Sequence, residues 1–463
     1  MINLKECIKK LPEPIKKPIY YAYSAVPVKV KYNRHFWETR ALIEESQWWS
    51  EGELYQYQCK ELSKLLNHCY NNVPYYKDLF NAVEFNPFNL QDPRDIEKIP
   101  FLTKEIIRQN FGALKSTNFS DKDFISSNTG GSSGIPLSFY VQRGYSDMRE
   151  SAFFDELWSR VGFKFDKDQR MVLRGSIINN KSGYEYRPGG KEWVCSTYFN
   201  DEEHFANYLC LLKDKKIKFI HGHVSSVCLF AQYLIEKNEQ YPLKAVFGGS
   251  EIVYPFQREL IKKAFDTRLF SWYGHSEIAA LAGECEYSSD YHIYPQYGLF
   301  ELIDKEGNVI TRPGELGEIV ATGFNNYAMP FIRYKTGDMA EYKEGYCENC
   351  GRKYKILAHV QGRTYEYVIN SEGNKISLTG LVFGQHFEAF THIKKMQLHQ
   401  REAGKIRIKI VPGQGYSSIN EVEITQKISA ASNGKVEVVS FDYVDDIPLT
   451  EGGKHKFLIR EIE

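Results

Sequence analysis

The chain has 463 residues, and its 59 Lys plus Arg balance its 59 Asp plus Glu, so the formal net charge is zero. That balance gives no general pull toward nucleic acid, and 42% hydrophobic with 25% charged residues excludes a disordered chain. No run approaches the roughly 18 unbroken apolar residues of a membrane-spanning helix, and the length suggests more than one domain.

Residues 1–31 carry seven lysines against two glutamates, a local net of +5. They contain no apolar core or small-residue cleavage site of a secretory signal, so the reading is cytoplasmic. Pro14 and Pro18 argue against one long amphipathic helix. The expectation for residues 1–50 is a partly irregular basic arm. At most, Ile15, Ile19, Tyr20 and Tyr21 beside those lysines rest on an anionic membrane surface. Next, Cys59, Leu62, Leu65, Leu66 and Cys69 recur at helical spacing over 55–70, and Pro74 stands where that helix should end. The segment SSNTGGSSGIPLS (126–138) is a glycine- and hydroxyl-rich loop whose backbone N–H groups suit an anion. It lacks the lysine of a Walker A loop.

In the middle of the chain, KAVFGGS (244–250) reads as a buried strand, PFQRELIKKAF (255–265) as a helix and TRLFSWYG (267–274) as the next strand. This β-α-β order predicts a parallel-rich sheet with helices on its faces. LFELIDKEGNVI and ELGEIVATGF read as hairpin strands. The last hundred residues change character: a hairpin at 396–411 around Ala403-Gly404, a helix near 420–431 and a strand at 435–444. The predicted fold is α/β. A large N-terminal domain, residues 1–362, has parallel-rich sheets with helices plus a small β-barrel-like part, and residues 363–463 form a small mobile α+β domain.

The nine cysteines are odd in number and irregularly spaced, which argues against a disulfide framework. Cys347-x-x-Cys350-Gly is knuckle-like spacing, and Cys285 and His292 supply two further ligands, giving a Cys₃His set for a structural Zn²⁺. The other cysteines are expected to be buried small hydrophobes.

Several motifs occur together in one order: TGGSSGIP (129–136), FGGSE (247–251), WYGHSE (272–277), RYKTGD (333–338), Gly362-Arg363, and IPLTEGGKHKFLIREI (447–462). With LLNHCYNNVPYYKDLF (65–80) and IPFLTKEIIRQN (99–110), they resemble the adenylate-forming superfamily from about residue 50 to the C-terminus. The branch resembled is the phenylacetate–CoA ligase-like one, and within it the capsular-polysaccharide biosynthesis members. The resemblance implies an enzyme that uses ATP and Mg²⁺ to make an acyl-adenylate. Thr129, Gly130, Gly131, Ser132, Ser133 and Gly134 would hold phosphate, although position 130 departs from the family's Ser. Gly249, Ser250 and Glu251 would line the adenine pocket. Tyr273, followed by Gly274, would stack on adenine, Ser276 would contact a phosphate, and Glu277 would hold Mg²⁺. Asp338 would take the ribose hydroxyls, Arg363 would sit near ribose and phosphate, and Lys454 would reach the α-phosphate, with Lys456 as the alternative. Thr364-Tyr365-Glu366 departs from the hinge pattern. Gly373 stands where the family lines a pantetheine tunnel, which keeps CoA open as acceptor. The resemblance also implies a zinc near the Cys₃His set in some members.

The function expected is activation of a carboxylic acid followed by transfer to a sugar, an amine or CoA, in capsular or surface polysaccharide biosynthesis. The alternatives are an aryl-CoA ligase of the phenylacetate type and a non-catalytic nucleotide-binding scaffold. Filled positions at Glu277, Asp338 and Lys454 weigh against the scaffold. His221, Gly222, His223 and His275 are further candidates for the acyl pocket. The expected partners are small molecules, not nucleic acid, and the expected state is a monomer or homodimer.

Overall fold

A computed structural model describes residues 28–128, 137–178, 180–199, 201–363, 367–382, 387–448 and 456–462, with residues 18, 19, 22 and 26. The glycine-rich loop at 129–136, residues 364–366, Lys454 and most of the basic arm lie outside the described residues. The chain divides into two compact units. One comprises Pro27–Asp166 and Ser271–Arg363; the other comprises Met1–Val26, Lys167–Phe270 and Thr364–Glu463.

The unit containing residues 27–166 and 271–363 begins with helices. Arg34–Ser46 starts at Asn33, whose side chain accepts from the His35 N–H. Glu51–Asn72 starts earlier than the apolar periodicity predicts, because Ser50 and Glu53 form a reciprocal capping box. Its stripe Leu62, Leu65, Leu66 and Cys69 is fully buried. Pro74 opens the next helix, Pro74–Ala82, where its missing N–H costs nothing. Helices Glu51–Asn72 and Pro74–Ala82 share a core with Phe139, Phe331 and Tyr334. The hairpin Phe124–Asn128 and Ser138–Gln142 flanks residues 129–137.

In the same unit an antiparallel run of strands carries the later motifs. Gly298–Ile303 pairs with Leu316–Gly323, which pairs with Tyr334–Tyr342, which pairs with Ile356–Arg363. Tyr291–Ile293 joins Ile356–Arg363 to Leu281–Gly283, and Trp272, Tyr273 and Gly274 pair with Gly283, Ala282 and Leu281. Gly298 and Gly323 face each other in register. A Cβ on Gly323 would lie 2.6 Å from the Ile278 carbonyl oxygen, and one on Gly298 2.9 Å from that of Ala279. The glycine pair therefore admits the backbone that follows the WYGHSE segment. Trp272 packs on the other side, against Phe154 (ring centroids 5.3 Å apart) and Trp158 (5.8 Å) of helix Ser146–Ser159.

The second unit holds the parallel strands. Ala245–Gly249, Phe219–His223, Arg170–Arg174 and Glu192–Ser196 lie side by side, and Tyr184–Arg187 closes the edge antiparallel. Every residue of Ala245–Gly249 is buried, as expected of a strand covered on both faces. Helices Glu202–Lys215, Val224–Glu236 and Pro255–Phe265 supply the covering core. The unit also contains a four-stranded sheet in the order Glu437–Tyr443, Lys405–Pro412, Ile393–Glu402, Leu458–Arg460. Ile424 and Ile428 of helix Ser418–Ala431 pack on Leu398, Ile408 and Ile410 of this sheet. Phe256 and Phe390 stack at 4.3 Å and join the two parts of the unit.

Candidate active site and metal centre

The strand ending in Tyr273 and Gly274 and the strand Tyr334–Tyr342 bring two distant motifs together. The Tyr273 hydroxyl donates to Asp338 Oδ2 at 2.9 Å, across 65 positions of sequence. Burial and the neighbouring Asp338 carboxylate push the Tyr273 phenol well above its ordinary range, so it stays a donor. The Asp338 N–H donates to Thr336 Oγ1 at 3.1 Å, and Gly337 supplies the positive φ of this turn. Asp338 also pairs in register with Arg363, so the Gly362-Arg363 backbone runs beside it.

Glu277 is 8% exposed. Its Oε1 accepts from the Tyr334 hydroxyl at 2.7 Å, and its Oε2 lies 3.3 Å from His275 Nδ1. Burial alone would raise this carboxyl, but His275 and the Tyr334 hydroxyl outweigh it and hold it at about 2. It is an ionised, hard oxygen donor with a lone pair left on each oxygen, which fits Mg²⁺. Ser276 is exposed beside it. Tyr334 belongs to the quoted RYKTGD motif, yet its contact with Glu277 was not anticipated. The only signal available was an aromatic hydroxyl inside a motif read for its aspartate. Glu150 was also missed. Burial raises its carboxyl to about 7, and the Tyr297 hydroxyl donates to it.

In the other unit, Gly249 ends the buried strand Ala245–Gly249, and Ser250 turns the chain at φ 64°. The Glu251 carboxylate accepts from the Ser225 N–H at 2.8 Å and the Ser225 hydroxyl at 2.9 Å, capping helix Val224–Glu236. His221 is held neutral by burial and by Arg170, Arg174 and His223. Lys456 is exposed, and its carbonyl accepts from Gln397 at 2.8 Å. Gly373 makes an open turn at φ 80° between Tyr367–Ile369 and Lys375–Ser377.

Cys285, His292, Cys347 and Cys350 are all buried, and their ligand atoms lie within 4.8 Å of one another. Cys285 Sγ and Cys347 Sγ are 3.9 Å apart, and Cys350 Sγ is 3.4 Å from His292 Nε2. Two thiolates about 2.3 Å from one tetrahedral zinc sit about 3.8 Å apart, so the spacing fits the ion. The surroundings fit as well. The N–H groups of Tyr287 and Ser288 donate to Cys285 Sγ at 3.4 and 3.2 Å. His292 Nδ1 lies 3.1 Å from the Asp290 carbonyl, which leaves Nε2 as the ligand atom.

Residues 368–461 match the CapK C-terminal domain. Over 443 residues the chain is 23% identical to Protein CapK of Staphylococcus aureus, covering 94% of each chain. It is 24% identical over 341 residues to a phenylacetate-coenzyme A ligase of Pseudomonas putida, covering 71% of this chain and 75% of that one. Among solved structures, 2-hydroxyisobutyryl-CoA ligase in the postadenylation state with R3-HIB-AMP superposes at a TM-score of 0.72 and 15% identity, over 90% of this chain and 93% of that one. The fold is shared.

Proposed function

We propose that the chain, which is similar to CapK and to the phenylacetate-coenzyme A ligases, is an adenylate-forming ligase that activates a carboxylic acid with ATP and passes the acyl group to a second small molecule. The observation that carries the reading is the convergence of Tyr273, Asp338 and ionised Glu277 in one unit. An aromatic face for a purine, a carboxylate for two ribose hydroxyls and a hard oxygen for a phosphate-bound cation are what MgATP requires.

The substrate carboxylate attacks the α-phosphate, an acyl–phosphate bond forms, and pyrophosphate leaves. The nucleophile is already anionic, so the protein needs no base; orientation and charge neutralisation do the work. Residues 129–134 hold phosphate, Ser276 contacts it, and Lys454 reaches the α-phosphate. Gly249, Ser250 and Glu251 border the adenine, and Arg363 lies near the ribose. Glu277 would hold Mg²⁺, which neutralises phosphate charge when bound. Cys285, His292, Cys347 and Cys350 would hold a structural Zn²⁺. The small domain 363–463 then turns near residues 363–365 to bring the acceptor to the acyl-adenylate. The resemblance of the motifs to capsular-polysaccharide biosynthesis members, together with similarity to CapK over nearly the whole chain, supports a sugar or amine acceptor in that synthesis.

The test is pyrophosphate release dependent on one carboxylic acid, with Lys454→Ala abolishing it while ATP still raises the melting temperature. No release across a broad acid panel, with and without acceptors, would sink the reading. The phenylacetate-coenzyme A ligase relatives favour a second reading, in which CoA is the acceptor and Gly373 lines its path. A CoA-dependent thioester product would select it.

A further inference from the structure

Strand Ile393–Glu402 presents two unlike faces. Met396 and Leu398 enter the core that they share with Ile424 and Ile428 of helix Ser418–Ala431. The alternate residues Lys395, Gln397 and His399 leave the opposite face. On the neighbouring strand Lys405–Pro412, Arg407 stands opposite His399 and Lys409 opposite Gln397, and Arg407 is exposed. An antiparallel sheet covered on one side commonly leaves such a face to water. Lys395 and Gln397 are nevertheless buried, at 8% and 6% exposure.

Both side chains bind the two ends of one segment. Lys395 Nζ donates to Asp446 Oδ1 at 2.5 Å and to the Ile447 carbonyl at 3.2 Å. Gln397 Nε2 donates to the Lys456 carbonyl at 2.8 Å, and the Leu398 N–H donates to the Phe457 carbonyl, also at 2.8 Å. The Gln397 amide is itself oriented, since its Oε1 lies 2.7 Å from His399 Nε2. From Leu458 onward the chain pairs with the same strand. Between Ile447 and Lys456 the sequence is PLTEGGKH (448–455), which contains Lys454. Two side chains about 7 Å apart along one strand therefore hold both ends of a stretch that, fully extended, could span roughly 26 Å. Stability does not account for the choice of residues. A buried lysine costs desolvation, and an apolar side chain of similar volume in its place is often neutral or stabilising. The Asp446 side chain is 63% exposed, where an ion pair contributes little. What these polar groups supply is direction, with a fixed donor at each end of the segment.

We infer that Lys395 and Gln397 are positioning residues for Lys454, and that they clamp the two ends of segment 448–455 so that the Lys454 ammonium is presented in one place. The inference rests on the proposed role of Lys454 at the α-phosphate and adds the means by which the chain sets that lysine. A reacting group displaced by an ångström loses much of its effect. Gly452 and Gly453, which precede Lys454, have no side chains with which to fix it. The fixing comes instead from the strand beneath the two ends.

The test needs no knowledge of the acid substrate. The full chain is treated with acetyl-AMP, whose mixed anhydride acylates an amine lying against the α-phosphate, and the acetylated lysine is identified by mass spectrometry. Lys454 should be labelled in the parent, and ATP should compete. In Lys395→Met and in Gln397→Leu the labelling should fall at least about tenfold, while the melting temperature stays within about 2 °C of the parent. Amide hydrogen exchange over residues 446–458 should be faster in both variants. Arg401→Ala, on the same strand but in an exposed pair with Glu461, should change neither readout. Parent-level labelling of Lys454 in both variants, or unchanged exchange over 446–458, would overturn the inference and leave the role of Lys454 standing. A loss of labelling that comes only with a melting temperature lowered by several degrees would reduce both residues to structural ones and overturn it as well. Absence of label on Lys454 in the parent would instead remove the proposed role of that lysine, and the inference with it.

Discussion

Tyr273 and Asp338 contribute one hydrogen bond whose partners must both be present before any ligand arrives. The phenol holds the carboxylate in place, where under the proposed function it would accept from ribose hydroxyls. Asp338→Asn keeps the shape and removes the charge. A hydrogen bond to a charged group is worth about 1.5–3 kcal/mol, so KM for ATP should rise roughly ten- to a hundredfold with little change in melting temperature. Steady-state kinetics with varied ATP would show it, and an unchanged KM would remove Asp338 from the nucleotide site. Both residues stood out in the sequence as members of short motifs. Their bond to each other did not, because a pairing across 65 positions is created by strand order. Glu277, like Asp338, stood inside a short motif, whereas Glu150 lies in an ordinary helical stretch, and only the fold gives it Tyr297 as a partner.

Elements meet the motifs through close backbone approach. Gly298 and Gly323 admit residues 278–279, and Ile278 itself takes a positive φ of 56°. A methyl at 323 would press on backbone, which cannot move aside as a flexible side chain would. Gly323→Ala should therefore cost about 1–3 kcal/mol of stability and disturb Glu277. Gly112→Ala, with open space around its Cβ, should cost almost nothing. Denaturant midpoints of the two variants provide the comparison. The Cys₃His cluster joins a loop after Leu281–Gly283 to the turn before Ile356–Arg363. Native protein should hold about one equivalent of zinc, and Cys347→Ser should lose most of it and lower the melting temperature by several degrees. Metal analysis beside a thermal scan decides this, and less than half an equivalent in native protein would refute the site. The CxxC pair announced itself by spacing, while Cys285 and His292 were found by ligand type. The helical stripe from Leu62 to Cys69 was legible by periodicity, but its start at Glu51 was set by the Ser50–Glu53 cap rather than by apolar residues.

At the scale of the whole molecule, zero net charge conceals groups that titrate differently in the folded and unfolded chain. Burial raises the Glu150 carboxyl to about 7 from an ordinary 4.5. Between those values the folded chain holds a proton that the unfolded chain has released. Stability from this group is therefore present at low pH and falls as pH rises through the window, by at most about 3 kcal/mol. Urea midpoints at pH 5 and pH 8 should differ less in Glu150→Gln than in the parent; parallel lines for the two proteins would contradict the assignment. The α/β class was legible from the β-α-β order around Ala245–Gly249, and so was the α+β character of the last hundred residues. The composition of the two units was not, since residues far apart in sequence share a unit through packing such as Phe256 on Phe390.

Trp272 and Tyr273 are neighbours on one strand, so their side chains leave it on opposite faces. The Tyr273 face meets Asp338, and the other carries the Trp272 indole to within 5.8 Å of Trp158. Two indoles this close couple their electronic transitions, which gives the protein an optical signature in near-ultraviolet circular dichroism. A nucleotide stacked on Tyr273, as proposed, would lie against a strand whose reverse side bears half of that chromophore pair. Addition of nucleotide should therefore change the tryptophan band, and Trp272→Phe should erase the change while Asp338 and Tyr273 remain in place.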